Sequence, residues 1–112
     1  SAEARLLKAR GKKSFSEAFK VALAELPTRD RTVMRLRYVD QANLDDIAKM
    51  FNVHRTSVMR WLEAAHAQVL GRTRGLLIEK LKLSDQDIDS LIRELELSFS
   101  DRVSRLFATK AH

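Results

Sequence analysis

Apolar residues recur along the chain at helical spacing, and no stretch shows the strict alternation of a half-buried strand. The first run occupies positions i, i+3, i+4, i+7, i+8 and i+11 within residues 14–26, and its members are Phe15, Ala18, Phe19, Ala22, Leu23 and Leu26. Because these positions share one face of a helix, the pattern predicts an amphipathic helix that ends at Pro27.

A second helix is predicted from Thr28, whose hydroxyl is a candidate N-cap, to about Val39. Its inner contacts are Val33, Leu36 and Tyr38. Its outer face is densely basic and carries Arg29, Arg31, Arg35 and Arg37.

The next predicted elements are two helices joined by a tight turn. Asn43, followed three residues later by Asp46, is a capping-box variant that opens a short helix. Asn52 tolerates the left-handed conformation and is predicted to end this helix, with Val53 filling the corner. Another helix is then predicted to begin near His54. The apolar positions of the two helices are Ile47, Ala48 and Phe51, then Val58, Leu62, Ala65 and Val69.

Two further segments are predicted to be helical. The helix that begins near His54 continues as a pattern to Leu81, with Gly71 and Gly75 as points of weakness. Ser84 with Asp87 is another capping signal, and it precedes an apolar repeat. Ser100 is a candidate cap for a last short helix. The sequence therefore predicts an all-α helical bundle of about six helices, divided into a domain over residues 1–83 and a C-terminal helical extension over residues 84–112.

Composition narrows the class of protein. The chain has 112 residues, 45% of them hydrophobic, with three Gly, one Pro and no Cys. This balance predicts a folded chain, and the lack of cysteine excludes disulfides, thiolate metal sites and cysteine nucleophiles. No run approaches the ~20 apolar residues of a membrane span, so a cytoplasmic protein with no membrane partner is expected. The chain begins Ser1-Ala2 without Met, and we expect a fragment of a longer protein.

The positive charge is unevenly distributed. The formal net charge is +6, yet residues 83–112 carry four Lys or Arg against six Asp or Glu. The basic part of the chain therefore predicts a polyanionic partner. The C-terminal extension is expected to pack on the preceding helices or to form a partner or dimer surface.

Residues 43–63 have the spacing that a helix-turn-helix requires. With Val58 on the inner face, a helical wheel directs Thr56, Met59, Arg60 and Glu63 outward. Such a face can enter a major groove, where Arg60 pairs with guanine, Met59 packs on a thymine methyl and Thr56 contacts a base or phosphate. Arg55 and Ser57, in the first turn, are placed for base or phosphate contacts. Glu63 is expected to pair with Arg60.

Other kinds of site are weakly supported. Asp85, Asp87 and Asp89 imitate a calcium loop, but Ser90 occupies the position that needs Gly. The three histidines share no zinc-ligand spacing, and no catalytic triad or carboxylate pair is present. We therefore expect no enzyme, no metal and no cofactor. The alternative is a pair of amphipathic helices packed in a bundle, whose exposed residues have no specific binding role.

Residues 26–39 (LPTRDRTVMRLRYV) and 43–53 (NLDDIAKMFNV) resemble region 4 of sigma-70-family RNA polymerase sigma factors. The Leu-Pro, paired arginines and Leu-Arg-Tyr, followed by an Ile-Ala helix, are similar to the extracytoplasmic-function type. Residues 53–62 (VHRTSVMRWL) and the tail SRLF at 104–107 further resemble a divergent myxobacterial group. Two departures are Asn52, where many members have Gly, and Trp61, where many have Arg or another polar residue.

The resemblance implies DNA binding in transcription initiation, with the helix over residues 55–70 in the major groove of the −35 promoter element. It implies base contacts by Arg55, Thr56, Met59 and Arg60. Phosphate contacts are expected from Ser57, from Arg31, which matches an arginine of the family motif, and from Arg35 and Lys49 on charge and position. The implied partners are double-stranded promoter DNA, the flap of the RNA polymerase core and an anti-sigma factor. The alternatives are a helical protein-interaction module and a LuxR-type regulator.

Overall fold

The structure is a computed structural model that describes residues 2–110, and this part of the chain is all-helical with no strand. Five helices follow one another: α1 Ala2–Ala24, α2 Thr28–Tyr38, α3 Leu44–Phe51, α4 Arg55–Leu81 and α5 Asp85–Lys110. The predicted all-α class is confirmed. Within the described residues, no helix is long and apolar enough to cross a membrane.

Both long C-terminal elements are unbroken, which corrects the expected count of about six helices. Ser100 starts no new helix and is an exposed residue within α5. Helix α4 runs through Gly71 and Gly75 without interruption. Propagating a helix adds one hydrogen bond per residue, so a buried apolar face outweighs the cost of about 1 kcal/mol per glycine.

The bounds of the first two helices also differ from the prediction. Helix α1 begins at Ala2, not near residue 14, because the residues before the apolar stripe are mostly strong helix formers such as Ala, Leu, Lys and Arg. It ends at Ala24, before Pro27. Thr28 is not the cap of α2: Pro27, with φ −55° and ψ 151°, occupies that position, and no side chain caps the helix.

The core consists of two hydrophobic clusters. The larger, cluster 1, joins α1, α2, α4 and α5; its buried members include Phe15, Phe19, Leu23, Met34, Val69, Leu77, Ile88, Leu95, Phe99, Val103 and Phe107. The smaller, cluster 2, joins α2, α3 and α4 and has the buried members Val33, Ile47, Ala48 and Val58. Leu62 of α4 packs against both clusters. The predicted domain boundary at residue 83 stays a prediction, and cluster 1 has members on both sides of it.

Phe99 of α5 is the aromatic centre of cluster 1. Its ring meets the rings of Phe19 and Tyr38 edge to face, with centroids 5.8 Å and 5.9 Å away. Burial raises the pKa of the Tyr38 phenol. His66 of α4 is half-buried and stacks on Phe99 with a centroid distance of 4.1 Å. These contacts hold α5 against α1, α2 and α4.

Exposed ion pairs connect α4 to its neighbours. Arg72 donates to Glu25 at 2.7 Å and Lys80 donates to Glu17 at 2.8 Å. Hydrogen bonds from these cations lower the pKa of both glutamates. Arg74 pairs with Asp89 and Asp85, so these acids lie along α5 and form no calcium loop. Among the side chains that the structure describes, no group of His, Asp or Glu residues is arranged to hold a metal ion.

Replacing Phe99 by Ala tests whether α5 is part of the core. Phe99 is 4% exposed and loses three ring contacts, so Phe99→Ala is expected to lower the free energy of unfolding by about 3–5 kcal/mol. Urea denaturation followed by circular dichroism measures the change. Leu97 lies two residues away and is 92% exposed, so Leu97→Ala is a matched control expected within about 0.5 kcal/mol of wild type. Equal stability of the two variants would contradict the packing described here.

Candidate nucleic-acid interface

Helices α3 and α4 are joined by a turn of three residues, Asn52 to His54, as the sequence predicts. The Asn43 side chain accepts from the Asp46 N–H at 2.8 Å and caps α3. Asn52 ends α3 in the left-handed conformation, with φ 53° and ψ 49°. His54 caps α4, because its Nδ1 accepts from the Thr56 N–H at 3.1 Å. Local side-chain chemistry therefore fixes both ends of the turn.

Cluster 2 sets the angle between the two helices. Ile47 and Val58 are fully buried, and Ala48 is 6% exposed. Phe51 and Val53 pack against the same cluster from the end of α3 and from the turn. Because this contact is dry and closely packed, α4 is held in one orientation and presents a defined outer face.

The outer face of α4 contains the residues predicted to contact bases. Arg55, Thr56, Met59 and Arg60 are exposed, and Ser57 is half-buried. The expected pair between Arg60 and Glu63 is wrong, since neither residue has a hydrogen-bond or ion-pair partner among the residues that the structure describes. Both side chains extend from an exposed face into solvent, where neither is fixed. The Arg60 guanidinium therefore keeps all its donors for an external partner.

Trp61 lies at the edge of this face and is half-buried. Its ring meets Phe51 edge to face at 5.5 Å. The guanidinium of Arg29, from α2, lies 4.3 Å from the centroid of the Trp61 ring. Arg29 also donates to the buried Asp30 carboxylate at 3.3 Å. The tryptophan and the carboxylate together hold a cation beside α4.

Arg29 is absent from the sequence-predicted site, although a signal for it exists. It precedes Val33 by four residues, so both residues share the face of α2 that packs on cluster 2. The positions of Arg31 and Arg35 are different: they line a hollow together with Phe107 of α5. Lys49 is exposed in the last turn of α3. The structure therefore brings Arg29 to the recognition helix, and it brings Arg31 and Arg35 to α5.

The comparison with known proteins finds a match to the part of the chain that contains the helix-turn-helix. The family model described as Sigma-70, region 4 matches residues 16–71, half of the 112-residue chain. The matched segment contains the last part of α1, all of α2 and α3, and the first part of α4, and it excludes α5. No curated protein and no solved structure matches the chain.

The left-handed residue of the turn gives a test of this local geometry. A β-carbon in the left-handed conformation costs about 1 kcal/mol, and Asn tolerates it better than Ala does. We expect Asn52→Ala to lower the free energy of unfolding by about 1 kcal/mol. Asn52→Gly is the control and is expected to stay within about 1 kcal/mol of wild type, with the glycine variant the more stable of the two. Urea denaturation measures both, and a reversed order would contradict the turn conformation.

Proposed function

Because the chain belongs to the sigma-70 region 4 family, we propose that it binds promoter DNA and inserts the N-terminal part of α4 into the major groove of the −35 element. The family is non-enzymatic. The observation that carries the proposal is the outer face of α4, where Arg55, Thr56, Met59 and Arg60 are exposed on a helix that buried Val58 fixes in place.

Each residue of this face has chemistry suited to a base edge. Arg60 has five donors without a partner in the described chain and can pair with guanine through two of them. Met59, 42% exposed, supplies an apolar surface for a thymine methyl. Thr56 has a hydroxyl 2.8 Å from His54 Nδ1, so the histidine orients it. Arg55 lies in the first turn of α4, where the helix N-terminus favours anions.

Phosphate contacts flank the base-reading residues. We assign one to Arg29, because Trp61 and Asp30 hold its guanidinium beside α4 while half of its side chain stays exposed. Ser57 and Lys49 are the other phosphate contacts that we propose from position and charge. Phosphate contacts by Arg31 and Arg35 stay a prediction, and their position beside α5 offers them another role.

The family also favours RNA polymerase as a protein partner. We propose that the helices around α4 dock on the flap of the polymerase core and that an anti-sigma factor competes for this contact. We further propose a cytoplasmic place of action and, on the resemblance in residues 26–39, an alternative sigma factor of the extracytoplasmic-function type. A LuxR-type regulator shares the helix-turn-helix and lacks the preceding Leu-Pro and arginine-rich helix.

The experiment that tests the proposal selects bound duplexes from a randomised DNA pool at physiological salt. An enriched motif is expected for the wild-type chain, since the outer face of α4 carries specific donors and an apolar surface. The selected motif gives the DNA sequence of the promoter element. Absence of any enriched sequence, both for the isolated chain and for the chain mixed with polymerase core, would overturn the proposed base recognition.

Arg60→Ala tests the role of the groove-facing guanidinium. Loss of a bidentate guanine contact is expected to cost about 1–3 kcal/mol on the selected site and to relax the motif at one position. Fluorescence anisotropy with labelled duplexes measures the affinity. Lys12 is exposed beside Leu81 and Leu83, at the end of α4 remote from the turn, so Lys12→Ala is a charge-matched control with unchanged affinity. An equal loss of affinity for all DNA sequences would show that Arg60 contacts a phosphate and not a base.

Arg29→Ala separates a phosphate contact from a base contact. Removing one phosphate contact is expected to weaken binding similarly on all sequences and to reduce the slope of log K against log salt by about 1. Affinities measured by anisotropy over a salt series give the slope. Since Arg29 also pairs with the buried Asp30, Arg29→Lys is the companion variant that retains the charge. An unchanged slope in Arg29→Ala would show that Arg29 packs on Trp61 without contacting a phosphate.

A further inference from the structure

Four arginines surround the last described turns of α5, on a surface that the base-reading face does not include. Arg31 and Arg35 of α2 line a hollow of about 170 Å³ together with Thr28, Thr32 and Phe107. Arg102 and Arg105 of α5 line a second hollow of about 200 Å³, between α5 and α1, together with Leu106. We call these four residues the α5 arginine surface.

Aromatic rings hold two of these guanidinium groups in place. Arg35 lies 5.2 Å from the centroid of Phe107, and Arg102 lies 4.7 Å from the centroid of Phe15. Arg102 also donates from Nε to the Ser98 hydroxyl at 2.8 Å. Planar cations fixed on aromatic rings lose less conformational freedom when they bind an anion.

Three of these arginines have no carboxylate partner among the residues that the structure describes. Arg31, Arg35 and Arg102 form no ion pair there, and Nε of Arg31 is buried without a hydrogen-bond partner. Burial and the neighbouring charge of Arg105 lower the pKa of Arg102, and Glu94 offsets only part of this. Arg31, Arg35 and Arg102 therefore give this surface a positive charge that no ion pair in the described chain offsets.

This surface faces away from the proposed promoter contact. On a helix with about 100° per residue, Arg31 and Arg35 project roughly 160° and 120° from Arg29. Arg29 lies on Trp61, whereas Arg31 and Arg35 lie beside Phe107. Arg31 and Arg35 are therefore separated around α2 from Arg29, the cation that we propose to contact promoter DNA beside α4.

We propose that the α5 arginine surface binds an acidic polypeptide segment, with its carboxylates in the two hollows on either side of α5. Guanidinium groups match carboxylates through paired hydrogen bonds. Leu106 is half-buried in the lining of the hollow between α5 and α1 and offers an apolar contact to a side chain of the polypeptide, whereas a phosphate backbone has no such side chain. The binding residues of α5 lie outside the segment that the family model matches.

The dimensions of a helix set the spacing of the acidic residues. A helix is about 10 Å across with its side chains, and an extended chain advances about 3.3 Å per residue. Carboxylates roughly three or four residues apart in an extended segment would therefore reach both hollows across α5.

The test uses the full chain and a short fluorescein-labelled peptide in which glutamates are separated by leucine and serine. A peptide with glutamine in place of glutamate is the probe control. Wild type is expected to bind the glutamate peptide and not the glutamine peptide, and Arg31→Gln with Arg35→Gln is expected to weaken binding by roughly tenfold or more. Lys12→Gln with Lys13→Gln removes the same charge at exposed positions of α1 and is expected to have little effect.

A second variant leaves the packing of Arg35 on Phe107 intact. Thr32 is exposed at the α2 hollow, so Thr32→Glu places a competing carboxylate there and is expected to weaken the peptide without loss of thermal stability. Affinity for the selected duplex is expected to stay unchanged in Thr32→Glu, because Thr32 is not among the residues assigned to DNA. Equal binding of the two peptides, or equal weakening by the lysine variant, would overturn the proposal. A parallel loss of duplex affinity would assign the surface to nucleic acid instead.

Discussion

The unbroken helix α4 is the element on which the rest of the structure depends, because it belongs to both hydrophobic clusters. Its N-terminal part buries Val58 in cluster 2, and its later turns bury Val69 and Leu77 in cluster 1. Leu62 packs against both. A kink at Gly71 or Gly75 would uncouple the two clusters, and the packing of α1 and α5 on the later turns opposes it. The position of the outer face of α4 is thus set partly by residues far from the turn.

The elements that sequence could predict are those whose signals are local. Asn43, Asn52 and the Val58 to Val69 stripe act within a few residues, so the helix-turn-helix follows from them directly. Ser100 shows where local signals are insufficient, because a serine can cap a helix or lie within one. Burial of Phe99 and Val103 on either side of Ser100 favours a continuous helix. The length of α1 and the continuity of α4 depend on tertiary packing in the same way, which no short window of sequence contains.

The arginines of α2 show what the sequence could not predict, namely which of them lies beside α4 and which beside α5. All four lie in a short segment, and charge alone does not distinguish them. Their roles diverge because α2 has neighbours on opposite sides, with α4 beside Arg29 and α5 beside Arg31 and Arg35. The rotation of α2 about its axis becomes known only when Val33 is seen in cluster 2 and Met34 in cluster 1.

Trp61 and α5 each add contacts to the helices of the matched segment. Trp61 packs on Phe51 and carries the guanidinium of Arg29, so a cation from α2 reaches this edge of α4. Helix α5 contributes Ile88, Leu95, Phe99, Val103 and Phe107 to a core that begins inside the matched segment. It covers apolar side chains of α1, α2 and α4 and leaves arginines at its edges. Apolar burial and surface charge are coupled through this one helix, so a substitution that loosens α5 also disperses the cations around it.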